Sequence, residues 1–234
     1  MAINLETLKI RTTTALIFVV VMVGGLLWNQ WSFLALFVLV HFGCWYEFVK
    51  LLKKIYREAY LKYTLFGFVY ITMPIMMLLD LRGIWLQFEV TGLRQQFGGT
   101  IPLAIIFSIW INDTMAYLVG SMIGKTPFSK ISPKKTWEGT IGGAVLCVVL
   151  IGFLFPLLAE RFFYPFAQEK TYFIIAAICA VFGTLGDLLE SKIKRIADVK
   201  DSGTIMPGHG GFLDRFDSLL IATPIVWLYI KLFL

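Results

Sequence analysis

Apolar runs alternate along this chain with short polar joints. A helix needs about 20 residues to cross roughly 30 Å of hydrocarbon. Seven stretches come near that length: 11–28, 31–50, 61–80, 100–119, 140–158, 171–190 and 217–234. The pattern predicts an all-α, polytopic integral membrane protein with about seven transmembrane helices. The joint Trp28-Asn-Gln-Trp31 is very short, so the first two helices should form a tight hairpin, with its tryptophans suited to an interfacial belt. Residues 83–99 are too mixed to span. Their pattern Ile84-Trp85-x-x-Phe88 predicts a short interfacial or extracytoplasmic piece. No internal repeat, low-complexity tract or soluble domain is visible. The chain therefore divides into N-terminal transmembrane helices with their extracytoplasmic connection, 1–99, and a motif-bearing transmembrane region, 100–234.

Composition agrees with this reading. Hydrophobic residues make up 58% of the 234, charged residues 15%, and the mean hydropathy is +0.78, outside the range of soluble domains. The net charge of +6 would suggest a nucleic-acid partner in a soluble protein. Here its distribution matters more than its sum. With the N-terminus placed in the cytoplasm, the inside segments 1–11, 50–62, 120–139 and 191–216 hold sixteen lysines and arginines, against five on the other side. The positive-inside rule then fixes the orientation and puts the loops 120–139 and 191–216 on the cytoplasmic face of the inner or plasma membrane. Cys44, Cys147 and Cys179 each lie in an apolar run and read as helix fillers. No small-residue cleavage site closes the first apolar run, so no cleavable signal peptide is expected. His41, in the second helix, reads as structural.

The most polar stretch, Ser191 to Asp217, holds five cations, four carboxylates and a histidine between two apolar segments. Charge at a membrane boundary is costly unless it is used or paired. Asp187, Glu190, Ser191 and Lys194 fall at i, i+3, i+4 and i+7, on one helical face, and Asp214, Asp217 and Ser218 repeat the i, i+3, i+4 spacing at the start of the last helix. Two such helix ends can converge on one hard cation, since Mg²⁺ typically takes one or two carboxylates plus waters and phosphate. An interhelix salt bridge to Lys194 or Arg215 is the alternative. Asp217 could be a third ligand or a partner of Arg195. His209, between Gly208 and Gly210, reads as a ligand-positioning residue, because glycine lets a backbone approach closely.

A second polar region runs from Asn112-Asp113 to Glu138-Gly139. Asp113 lies within an apolar helix, either hydrogen-bonded inside the bundle or facing a polar cavity, and intramembrane carboxylates favour the cavity. The loop Ser132-Pro-Lys-Lys-Thr-Trp-Glu-Gly-Thr140 puts Lys134, Lys135 and hydroxyls just ahead of the next helix. Such an arrangement suits a phosphate or triphosphate. A juxtamembrane basic loop obeying topology is the plain alternative.

The run Ser191-x-x-Lys194-Arg195-x4-Lys200-Asp201-x-Gly203-x3-Pro207-Gly208-His209-Gly210-Gly211-x-x-Asp214-Arg215-x-Asp217 resembles the signature of the phosphatidate cytidylyltransferases, also called CDP-diacylglycerol synthases. The earlier region is similar to the same family. Asp113, Thr114, Ala116 and Tyr117 match one motif, and Ser132, Pro133, Lys135, Thr136, Glu138 and Gly139 match another. Met115 stands where glycine is usual. The resemblance covers about residues 108–220, whereas the first hundred residues match only as apolar helices.

The resemblance implies an enzyme that converts CTP and phosphatidic acid to CDP-diacylglycerol and pyrophosphate, with residues 100–234 as its catalytic region. It implies that Asp187 and Asp214 hold Mg²⁺, with Asp217 and Lys194 beside them in the catalytic set. Substrate contacts would come from Asp113, Ser132, Lys134, Lys135, Thr136, Glu138, Arg195, Lys200, Asp201, His209 and Arg215. A second, monovalent cation such as K⁺ and a homodimer are further implications. Two other classes compete. A CTP-dependent membrane lipid kinase would transfer the γ-phosphoryl group to a hydroxyl. A cation- or proton-coupled transporter would explain Asp113 and Asp187 but not a loop of lysines and glycines. The CDP-alcohol phosphotransferases are disfavoured, because their aspartates end in an Asp-x3-Asp run and only two residues separate Asp214 from Asp217.

Overall fold

The computed structural model describes residues 5–83, 99–162, 169–205 and 210–234, with the side chains of 5–11, 160–162 and 169 left aside. His209 and the expected extracytoplasmic piece around Trp85 lie outside the described residues. Every regular element among those described is helical: α1 (Leu5–Leu27), α2 (Gln30–Tyr56), α3 (Tyr60–Gly67), α4 (Met73–Leu81), α5 (Thr100–Ile123), α6 (Trp137–Phe162), α7 (Glu169–Ile196) and α8 (Leu213–Phe233). Among the described residues, five stretches are long and apolar enough to cross a membrane: Gln30–Leu81, Thr100–Ile123, Trp137–Ala159, Lys170–Ile196 and Leu213–Phe233. Thr12–Leu27 is a shorter apolar helix. Large apolar side chains face outward on several of these helices, Val20, Leu65, Phe153 and Leu157 among them. That inside-out surface belongs in lipid rather than water.

The chain packs as two units, Met1–Thr72 with Lys192–Phe216, and Met73–Ser191 with Asp217–Leu234. In the first unit, α1 and α2 form the expected hairpin. Asn29 makes the turn by accepting hydrogen bonds from the Trp31 and Ser32 amides at 2.8 and 2.9 Å, while Ser32 Oγ accepts from the Asn29 amide at 3.0 Å. This reciprocal cap starts α2 at a defined residue, and Trp28 and Trp31 stand exposed beside it. The long helical run Gln30–Leu81 is not one rod. It reverses at Arg57, whose φ of +50° closes α2, through the 3₁₀ turn Arg57–Ala59. α3 then returns along α2: Tyr63 stacks on Tyr56 with ring centroids 3.7 Å apart, and Phe68 meets Trp45 edge-on at 5.2 Å. The π turn Phe68–Thr72 follows α3, and the next turn holds Pro74, which lacks the N–H that a regular α-turn would use. His41 and Trp45 both bond Thr72 Oγ1, at 3.0 and 2.9 Å, so His41 is a packing histidine.

In the second unit, α5 and α6 form an antiparallel pair fitted by small residues. A Cβ on Gly143 would lie 2.6 Å from the Ala116 amide nitrogen, and one on Gly139 would lie 2.9 Å from the Gly120 Cα. Without water to drive helices together in lipid, such close backbone contact is what holds them. The close approach falls at Ala116 and Gly120 rather than at the half-buried Met115. Further along the pair, Cys147 Sγ donates to the Ser108 carbonyl at 3.1 Å. All three cysteines are buried and none is in a disulfide. At the far end, Asp80 takes Lys231 Nζ at 3.0 Å and Trp227 Nε1 at 2.7 Å.

Candidate active site

In the second unit, the α5–α6 pair is joined by residues 124–136, folded back on themselves. The Phe128 amide donates to the Lys135 carbonyl at 2.7 Å and the Trp137 amide to the Thr126 carbonyl at 2.9 Å. Within this loop, Ser132-Pro-Lys-Lys135 makes a turn closed by the Lys135 amide and the Ser132 carbonyl at 3.1 Å, with proline at its favoured second position. Glu138, in the first turn of α6, accepts from Thr126 Oγ1 at 2.8 Å, from the Thr126 amide at 3.1 Å and from the Lys125 amide at 3.2 Å. Its carboxylate thus braces the loop. Thr136 caps α6 by accepting the Gly139 amide at 3.1 Å. The result is a rigid tip from which Lys134 and Lys135 project.

A cavity of about 360 Å³ opens beside this tip, lined by Asn112, Asp113, Ala116, Tyr117, Gly120, Ser121, Lys134, Lys135, Thr136, Thr140, Thr184 and Asp187. Five of the residues singled out in the sequence, Asp113, Lys134, Lys135, Thr136 and Asp187, therefore share one wall. Lys135 Nζ forms an ion pair with Asp187, and Ser191 Oγ donates to the same carboxylate at 3.3 Å.

Asp187 also belongs to a second group. Ligand-capable oxygens of Asp187, Glu190 and Asp217 all lie within 4.8 Å of one another. Glu190 is 1% exposed and Asp217 7%. What brings them together is Gly186: a Cβ there would lie 2.5 Å from the Asp217 carbonyl oxygen and 3.0 Å from the Ser218 Cα. Backbone rests on backbone, so the carboxylates on either side converge. Three carboxylates at this separation repel one another strongly, and burial adds to the cost of charging them. The donor set fits a hard divalent cation, which would lift that repulsion. Among the described residues, Asp187, Glu190 and Asp217 form a group that could hold it.

The other predicted residues are placed differently. Asp214 belongs to the first unit, where it accepts from Lys194 Nζ at 2.6 Å, the Gly211 amide at 2.7 Å and the Ser202 amide at 2.9 Å. Lys194 is its ion-pair partner. Arg195 donates to the Val199 carbonyl at 3.3 Å, and Lys200, Asp201 and Arg215 are exposed. Ser132 supplies its carbonyl to the loop turn and is absent from the cavity wall. Sequence reasoning passed over three residues. Asn112 and Thr184 line the cavity, and Glu47 bonds Ser202, Phe212 and Leu213. The polar neighbour of Asp113, the i−3 position from Asp187 and a carboxylate inside an apolar helix were the available signals.

Comparison with known proteins gives this helical membrane architecture a family. The family model described as "Cytidylyltransferase family" matches residues 63–233. The phosphatidate cytidylyltransferase of Rickettsia typhi is 32% identical over 224 residues, covering 94% of this chain and 90% of that protein. That of Rickettsia bellii is 32% identical over 236 residues, covering 98% and 93%. The phosphatidate cytidylyltransferase of Bacillus subtilis (strain 168) is 45% identical over 139 residues, 59% of this chain and 50% of that protein, so that match spans half the relative's length. The chain belongs to the cytidylyltransferase family.

Proposed function

We propose that the protein is a membrane nucleotidyltransferase that makes CDP-diacylglycerol and pyrophosphate from CTP and phosphatidic acid. The observation that carries this reading is the cavity in which Lys134 and Lys135 face Asp113 and Asp187, with Glu190 and Asp217 grouped on Asp187. Cationic side chains and a carboxylate cluster in one place suit a substrate rich in phosphate that arrives with a metal ion.

In the reaction, a phosphate oxygen of phosphatidic acid bonds to the α-phosphorus of CTP, the α–β phosphoanhydride bond breaks, and pyrophosphate leaves. The nucleophile is already an anion, so no side chain has to remove a proton from it. What the chain contributes is orientation and charge. Lys135, steadied by Asp187, and Lys134 on the rigid turn hold phosphate oxygens. Thr136 fixes the start of α6, and Glu138 keeps the loop from yielding. Asp187, with Glu190 and Asp217, would hold Mg²⁺, which offsets phosphate charge when bound. Asp214, bonded to Lys194 and the loop backbone, serves the order of the 202–213 loop in this reading, and His209, Lys200, Asp201, Arg195 and Arg215 supply its contacts to substrate. A K⁺ beside the divalent ion and a homodimer belong to the reading on the strength of the resemblance alone.

We place the protein in the inner or plasma membrane with the N-terminus and both polar loops cytoplasmic. The lysine and arginine bias supports that orientation. The reversal at Arg57 supports counting α2 and the following limb as separate crossings, which makes seven.

The test is the fate of each phosphorus. Purified protein given phosphatidic acid and Mg²⁺ should move label from the α-phosphorus of CTP into the lipid and release γ-label as pyrophosphate. Label from the γ position appearing in lipid would mean kinase chemistry and would overturn the proposal.

A further inference from the structure

Glu47 is a carboxylate within the apolar helix α2, ahead of the residues matched by the family model, and it is 0% exposed. Its oxygens are taken by one segment distant in sequence. Oε1 accepts from the Phe212 amide at 3.0 Å. Oε2 accepts from the Leu213 amide at 3.0 Å and from Ser202 Oγ at 2.7 Å. These donors stand on both sides of residues 203–211. Gly203 and Gly211 also pass directly against the carboxylate, where a Cβ on either would collide with its oxygens. The two glycines are therefore explained by the same acid.

Phe212 and Leu213 supply amides at the start of α8, where helical N–H groups have no partner of their own. A negative charge is favourable there. A second carboxylate reinforces the closure: Asp214 accepts from the Ser202 and Gly211 amides, and Ser202 Oγ lies 3.0 Å from it. Ser202 and the start of α8 are thus joined through charged hydrogen bonds.

We infer that Glu47 is a positioning residue: it ties Ser202 to Phe212 and Leu213 at the start of α8, and so sets where the neighbouring Lys200, Asp201 and Arg215 meet phosphate-bearing substrate. The inference rests on the cytidylyltransferase reading for its substrate, but the clamp itself can be observed without turnover.

Glu47→Gln keeps the size of the side chain and loses the charge. Whichever way the amide turns, its NH₂ faces one of the two backbone donors, so one of those amides loses its acceptor. Hydrogen exchange at Phe212 and Leu213 should accelerate about tenfold or more, the scale set by a charged hydrogen bond. The KM for phosphatidic acid or CTP should rise about tenfold, with a smaller change in kcat, while the melting temperature in detergent moves by only a few degrees. Glu47→Asp restores the charge and should recover part of both effects. It carries the same measurements if the glutamine variant does not fold. Unchanged exchange would remove the clamp. Faster exchange with wild-type KM and kcat, or a lowered melting temperature with wild-type constants per folded molecule, would leave Glu47 a structural residue and overturn the inference. If the wild-type protein failed to transfer CMP, the exchange result would still stand or fall by itself.

Discussion

Lys135 is held against Asp187 in the cavity wall, so its charge is fixed at the cavity. In the proposed function it binds phosphate in the ground state as well as the transition state. Lys135→Ala should then raise the KM for CTP by about tenfold, with part of the loss also appearing in kcat. Steady-state kinetics at varied CTP would show this, and an unchanged KM would detach the loop from the nucleotide. At this scale, much of the site was legible in the sequence. Asp113 and Asp187 drew notice because charge in an apolar helix is costly, and Lys134 and Lys135 because cations ahead of a helix start suit phosphate; all four line one cavity. Glu47 gave the same signal without a partner to interpret it by. Its hydrogen-bonding residues stand 155 to 166 positions away, beyond anything spacing can reveal. Glu138 stood in the sequence as a substrate contact by resemblance, and its oxygens also bond Thr126 and Lys125. Only the loop geometry could show that.

Helix α7 meets α8 through a glycine, and the grouping of carboxylates depends on that contact. Gly186→Ala adds a Cβ 2.5 Å from a backbone oxygen, so one helix must move. It should lower kcat about tenfold or more by separating Asp187 from Asp217, since small displacements at a reacting centre are costly. Gly183→Ala is the control: its nearest neighbour, Ser218 Cβ, would be 3.4 Å away, an ordinary contact, and activity should stay near wild type. Equal activity in the two variants would contradict this account of how the cluster is assembled. Apolar runs predicted where helices lie better than where they end. α2 continues to Tyr56 and α7 to Ile196, past the apolar stretches at 31–50 and 171–190. Lysines carry those last turns, since their long stems can stay with apolar surface while the ammonium reaches water. The expected helix at 61–80 is present as α3, a π turn and α4, a break that hydropathy does not register. The pairing of Asp187 with Asp214 had been expected from two helix ends. The register of α7 on α8 groups Asp187 with Asp217, the residue that spacing had offered as a third ligand.

Across the whole molecule, Lys192–Phe216 packs in one unit with Met1–Thr72. The Glu47 bonds show why: a motif can lie in one stretch and be held by another. Orientation has its own test. Lys130→Cys and Lys192→Cys are exposed positions in the two polar segments, and the native cysteines are buried. Both should react with a membrane-impermeant reagent only from the cytoplasmic face, and Lys170→Cys only from the other. Labelling of Lys130→Cys and Lys192→Cys from opposite faces would exclude a shared cytoplasmic site. The central claim is that carboxylates from two helices form one cation site serving the transfer. Turnover of Asp187→Asn, Asp217→Asn and the double variant across a Mg²⁺ titration tests it most directly, with Asp214→Asn beside them and the folded fraction checked by size exclusion. Each of the first two should lose about 10²-fold in kcat and shift to higher Mg²⁺, with the double variant far from additive. Asp214→Asn should instead raise KM and keep the wild-type Mg²⁺ dependence. Near-normal turnover with unchanged Mg²⁺ dependence in Asp187→Asn and Asp217→Asn, or a Mg²⁺ shift confined to Asp214→Asn, would contradict the account.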